Sequence, residues 1–236
     1  MGRSAVSGPI PSPIEDGNVQ EEDGFTRWIE ACAAGELLGI ASAALWWVSV
    51  ERFDPLPIGP TAEWLVFLAK AASGLIQGLI LGYLQGWALR RQFPALSLRA
   101  WVTATTLIGV IVWSIGAWYS VFPSLDGGRL LPPVESLFQT AIAAGGFGLG
   151  LGLLFGAAQA VVLRRAAGQV HWWIAVNAVG WGAALPCIYV ASAIGSTTPG
   201  SWEIALRGLV GGVVSGVALG TITGLSFAVM PVRRAA

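Results

Sequence analysis

Charge is scarce in this sequence. Only 11% of its 236 residues are Asp, Glu, Lys or Arg, against roughly a quarter in ordinary soluble domains. Thirteen basic residues balance thirteen acidic ones, so no net field draws in nucleic acid or an acidic partner. Residues for metal and redox chemistry are scarcer still: two cysteines, two methionines and one histidine. Cys32 and Cys187 sit in apolar stretches at no motif spacing, which indicates neither a disulfide framework nor a thiolate metal site. The lone His171 leaves no basis for a haem or a multi-histidine centre, so we expect no metal and no cofactor. A glycine-rich phosphate loop is missing, as is any nucleophile motif beside His171. The chain therefore reads as a non-enzyme. Its first 27 residues hold no apolar core of signal-peptide type, and no cleaved export signal is expected.

What the sequence does have is apolar length. Hydrophobic residues make up 55%, mean hydropathy is +0.68, and apolar runs longer than about 18 residues mark membrane spans rather than a water-soluble core. Six spans are expected, at about 28–50, 62–90, 100–122, 136–165, 172–193 and 201–230. Residues 1–27, with Gly8, Pro9, Pro11 and Pro13 ahead of Glu15, Asp16, Glu21, Glu22 and Asp23, read as a disordered tail. Residues 231–236 read as a short basic one. The fold class is all-α, a polytopic membrane protein.

Arg90, Arg91, Arg99, Arg164, Arg165, Arg233 and Arg234 cluster on one side, and only Arg52 and Arg129 on the other. The positive-inside rule then places both termini in the cytoplasm, with a bacterial inner or internal membrane as the expected location. Trp64, Phe138 and Trp202 at one side, and Trp87, Trp101, Trp172 and Trp173 at the other, read as interfacial aromatic belts.

A glycine recurs every fourth residue at Gly74, Gly78 and Gly82, followed by Gln85 and Leu89-Arg90-Arg91. An offset of 74 finds Gly148, Gly152, Gly156, Gln159 and Leu163-Arg164-Arg165, and a further 64 finds Gly212, Gly216, Gly220 and Thr223. The intervening spans repeat more faintly. Trp101 and Gly109 match Trp172 and Gly180 at an offset of 71, and Trp28 and Gly35 match Trp173 and Gly180 at 145. The unit is a glycine helix followed by a Trp-headed helix, parallel in all three copies, with the third split between the last span and the first. A pseudo-three-fold arrangement of six helices follows. Glycine-zipper grooves let backbones approach where lipid supplies no hydrophobic drive; the same grooves can line a pore or a lipid tail.

This unit (glycine helix, Gln, Leu-Arg, short turn, Trp-headed span) resembles a loose group of multi-span membrane proteins from cyanobacteria, Chloroflexi and related bacteria. The resemblance covers about residues 60–230. Members of that group often carry Trp after the Gln, where this chain has Gly86 and Ala160. The resemblance implies the repeat and carries no activity with it.

Ionisable groups at membrane depth are costly and count as functional candidates. Glu36 is one, as a proton-carrying or ion-binding carboxylate or as a buried residue paired with Gln or a helix donor. Lys70 and Arg207 are two more, unless they snorkel outward. Gln85, Gln159 and Thr223 are expected at one height, turned toward other helices and sharing a level with Cys32, Thr106 and Asn177. That level is either hydrogen-bonded glue or a ligand site. Two functions stay open: a protein acting through packing and interaction, as an accessory subunit of a membrane complex or a lipid-associated scaffold, and a small transporter or channel with its path near the pseudo-axis. The partners expected are the lipid bilayer and another membrane protein.

Overall fold

The computed structural model describes residues 13–53, 58–122, 136–195 and 199–233. Its regular structure is helical: α1 (Pro13–Phe53), α2 (Pro60–Ala71), α3 (Ser73–Gln92), α4 (Leu98–Val121), α5 (Leu137–Leu163), α6 (His171–Ala193), α7 (Ser201–Gly224) and a 3-10 turn over Leu225–Ala228. Among the described residues, six stretches are long and apolar enough to cross a membrane: Gly24–Phe53, Pro60–Gln92, Leu98–Val121, Leu137–Leu163, His171–Ala193 and Ser201–Ala228. At 1.5 Å per residue even the shortest covers about 34 Å, more than the roughly 30 Å of a hydrocarbon core. This is the architecture of a multi-pass membrane protein.

Local chemistry sets the helix boundaries. Ser136 caps α5 with a reciprocal box, accepting from the Gln139 amide while the Gln139 side chain accepts from Ser136 N. Ser97 caps α4 by accepting from Ala100 N. The second span is interrupted at Ala72, where Leu75 N and Ile76 N both donate to the Ala72 carbonyl, a local 3-10 tightening that divides α2 from α3. Pro186 lies inside α6 and cannot donate to the carbonyl one turn back. At the other end of the chain, helix begins earlier than its composition suggests. α1 starts at Pro13 and runs through the acidic stretch that reads as tail; residues 1–12 lie outside the described part.

Around the bundle the order is α1, α3, α4, α5, α6, α7 and back to α1, with α2 packed on α4. The closest approaches run along the glycines. A Cβ placed on Gly74 or Gly78 would come within 2.5 Å of Gly109 O or Thr106 Cα on α4. One on Gly148 or Gly152 would overlap the carbonyl oxygens of Trp181 and Asn177 on α6, and one on Gly212 or Gly216 would sit 2.5 Å from Glu36 O or Cys32 O on α1. So α3 lies against α4, α5 against α6, and α7 against α1, backbone to backbone. Leu75, Leu79, Ile111, Leu149 and Val210 point outward and are exposed, as expected of a surface solvated by lipid.

The segment after α7 returns to the bundle. Gly168 N donates to Pro231 O and Arg233 N to Ala166 O, and Val232 bridges Ala167. Residues 231–233 are therefore docked on the α5–α6 turn rather than forming a free basic tail; residues 234–236 lie outside the described part.

Candidate functional site

Three polar assemblies lie inside or at the edge of the bundle. The first is at the end where the arginines gather. Gln85, Gln159 and Thr223 are all buried there, at 4%, 3% and 1% exposure. Gln159 bridges two helices: Oε1 accepts from Trp173 Nε1 at 3.1 Å on α6, and Nε2 donates to Thr105 Oγ1 at 3.0 Å on α4. Gln85 Nε2 donates to Cys32 Sγ at 3.5 Å on α1. Thr223 Oγ1 accepts from Trp28 Nε1 at 2.9 Å and donates to Leu219 O. Asn177 is also buried, and its Nδ2 donates to the Trp173 carbonyl.

Two expectations need correction here. The α4 residue that meets Gln159 is Thr105, not Thr106, whose hydroxyl has no hydrogen-bond partner among the described residues. The tryptophan buried in α6 is correspondingly Trp173, while its neighbour Trp172 is exposed. A one-residue shift turns a helical side chain by about 100°, enough to exchange an interior position for a lateral one.

The second correction concerns the aromatic belts. Trp28, Trp101 and Trp173 are buried to 1%, 0% and 1% exposure. Trp173 makes edge contacts with both Trp28 and Trp101, at ring-centroid distances of 5.6 and 5.7 Å, and Phe227 stacks on Trp173. These indoles fill the bundle instead of sitting at a lipid interface. Two of them donate hydrogen bonds, to Thr223 and Gln159. The third donor, Trp101 Nε1, and the spare acceptor, Gln85 Oε1, are each buried without a partner among the described residues.

The second assembly lies deeper, between α1, α3 and α4. Glu36 is 0% exposed, and its Oε2 accepts from Gln77 Nε2 at 3.0 Å. Gln77 Oε1 in turn accepts from Trp113 Nε1 at 2.6 Å. Glu36 thus meets Gln77, eight residues before Gln85 on α3, and none of Gln85, Gln159 or Thr223. Gln77 carries no signal in the recurring motif. Its counterparts in the glycine register are Leu151 and Ser215, so a search for recurring letters discards it, although its two-turn spacing from Gln85 puts both on one helix face.

The third assembly holds Lys70. Its ammonium is paired with Glu51 at 2.8 Å, donates to Ser120 Oγ at 2.6 Å, and lies 4.6 Å from the Trp47 ring centroid, while Trp47 Nε1 donates to the same Glu51 oxygen. Lys70 is 4% exposed, so its ammonium is held by partners on α1 and α4 rather than by water. Arg207 is held differently, donating to the Ser192 carbonyl and to Glu203 one turn back.

Chemically, the three assemblies offer amides, indoles, hydroxyls, one thiol, the carboxyls of Glu36 and Glu51 and the Lys70 ammonium, most of them hydrogen-bonded between helices. Comparison of the chain with protein-family models, with curated proteins and with solved structures finds no match.

Proposed function

We propose that this chain is a non-enzymatic integral membrane protein that acts through helix packing and interaction, as an accessory subunit of a membrane complex or a lipid-associated scaffold. In this reading the pairs α3/α4, α5/α6 and α7/α1 are three copies of one unit about a pseudo-three-fold axis, the last copy split between the chain ends. The observation that carries it is the filled centre. Trp28, Trp101 and Trp173 close one level, and Leu81, Phe155 and Leu219, at 1%, 4% and 1% exposure, close the next. An axial path for a solute would have to displace both layers. The rival, a transporter or channel along that axis, has no such support.

The polar level is then glue. Gln159→Leu should lower stability by about 1–3 kcal/mol, because it leaves the buried Trp173 indole without an acceptor. Gln85→Leu gives up one bond to a thiol and should cost nearer the ~0.6 kcal/mol average of membrane hydrogen bonds. Both variants should retain whatever lipid or protein co-purifies with the wild type in mild detergent. Loss of that component from folded Gln159→Leu would make the level a binding site, and solute flux in proteoliposomes of the purified chain would replace the scaffold with a transporter.

We place the arginine end in the cytoplasm of a bacterial cell, across the inner membrane, on the charge asymmetry. An impermeant thiol reagent applied to intact cells should label Ile58→Cys and spare Ala95→Cys, both exposed positions at opposite ends of the bundle. The reverse pattern inverts the topology.

A further inference from the structure

Glu36 is the buried side chain least provided for. It lies about 18 Å along α1 from Gly24, at 1.5 Å per residue, within a span of 30 residues. Among the described residues, one neutral amide donates to its carboxyl, Gln77 Nε2 on Oε2. Oε1 is buried with no hydrogen-bond partner among the described residues. The orientation of Gln77 is itself settled, because its own Oε1 takes the Trp113 indole hydrogen; the amide nitrogen therefore has to be the atom presented to Glu36.

Among the described residues, no ion pair or hydrogen bond from a cation reaches the carboxyl. α1 brings Cys32 one turn away, whose thiol takes the Gln85 amide. From α3 comes Gln77, and from α4 the Trp113 indole behind it. α7 meets this stretch of α1 with Gly212 and Gly216, which touch backbone. The cations Lys70 and Arg207 are paired elsewhere, Lys70 with Glu51 and Arg207 with Glu203. A bare carboxylate here would exchange its hydration for one neutral donor, the least favourable state for a buried ion. A single positive charge on Oε1 removes the deficit, and the smallest is a proton.

We propose that Glu36 is a proton-binding site within the membrane-spanning bundle, with Gln77 as its positioning residue. The proton comes from water, forms one O–H bond at Oε1, and returns to water when that bond breaks; nothing is oxidised or reduced. The inference is independent of the scaffold reading, since a filled axis and a protonatable carboxyl between α1 and α3 coexist.

Infrared spectroscopy of the purified protein in lipid at pH 7 tests it directly. Exposed carboxyls, with ordinary pKa values near 4, are ionised at that pH and contribute no acid carbonyl stretch. One such band is expected from the wild type. It should be lost in Glu36→Gln, move to higher frequency in Gln77→Leu, and shift on transfer to D2O. Absence of the band, or its insensitivity to Gln77→Leu, overturns the proposal. A band that never shifts in D2O makes Glu36 a fixed structural acid and overturns it as well. Suppression of the band by sodium or lithium at constant pH would make the site one for a monovalent cation instead. Because the Gln77→Leu and D2O arms do not use Glu36→Gln, the proposal stays testable even if that variant fails to fold.

Discussion

Replacing Gly152 with alanine is expected to drive α5 and α6 apart and to remove most of the folded protein. The added Cβ would overlap the Asn177 carbonyl oxygen and lie 2.6 Å from Ala178 Cα, both backbone atoms of α6. A side-chain neighbour could change rotamer; a helix backbone can only translate. Translation would also spoil the contacts one turn away, where Gly148 faces the Trp181 carbonyl and Gly156 faces Ile174 Cα. Inserting a methylene into a packed core typically costs 1–3 kcal/mol when the site can adjust, and here we expect more than about 3. Gly150→Ala is the matched control. It lies on the same helix, but a Cβ there meets nothing within 4 Å, and alanine is the better helix former by about 1 kcal/mol in aqueous hosts. Thermal unfolding in detergent should therefore show Gly152→Ala far below the wild type and Gly150→Ala level with it or above. Similar midpoints for the two variants would count against the backbone contact.

Trp173→Ala should be the most damaging substitution in the aromatic layer, while Trp172→Ala beside it should be nearly silent. Trp173 is 1% exposed and touches Trp28, Trp101 and Phe227. Truncating a buried tryptophan to alanine costs about 3–5 kcal/mol. Part of that loss is the cavity, and part is the Gln159 acceptor left without its indole donor. Trp172 is 47% exposed, so its removal opens no cavity. Trp173→Phe separates the two contributions: it restores much of the volume but not the N–H, and should fall between alanine and the wild type. The measurement is the unfolding midpoint of each variant, with retained helicity confirming the folded baseline. Equal losses at 172 and 173 would mean that neither indole is part of the core.

Both predictions turn on facts that lie one step beyond the letters. Trp172 and Trp173 are adjacent and identical, and nothing in their composition says which of them faces inward. The α4 register has the same ambiguity: matching Trp101 to Trp172 selects Thr106, whereas packing selects Thr105. Faint repeats leave such one-residue choices open because every nearby position is apolar or small. In a helix the wrong choice rotates the side chain by about 100°, and only the neighbouring helix can decide between them. Gln77 is illegible in the sequence for a related reason. It departs from its counterparts Leu151 and Ser215, and its importance comes from Glu36 on α1 and Trp113 on α4, far away in the chain.

The sequence by itself determined the six apolar helices, since hydrocarbon forces each long uncharged run to satisfy its own backbone hydrogen bonds. It also determined which faces carry glycine, because a period of four in the chain is a stripe on a helix. Tertiary structure decided the rest. That Trp28, Trp101 and Trp173 fill the bundle rather than its rim, that Lys70 turns to Glu51 instead of to water, and that Glu36 meets Gln77 with one oxygen unpartnered all depend on which helices become neighbours. Lipid is as apolar as the helices it surrounds, so hydropathy carries no preference for one neighbour over another; shape and hydrogen bonding supply that preference, and both exist only once the helices have met.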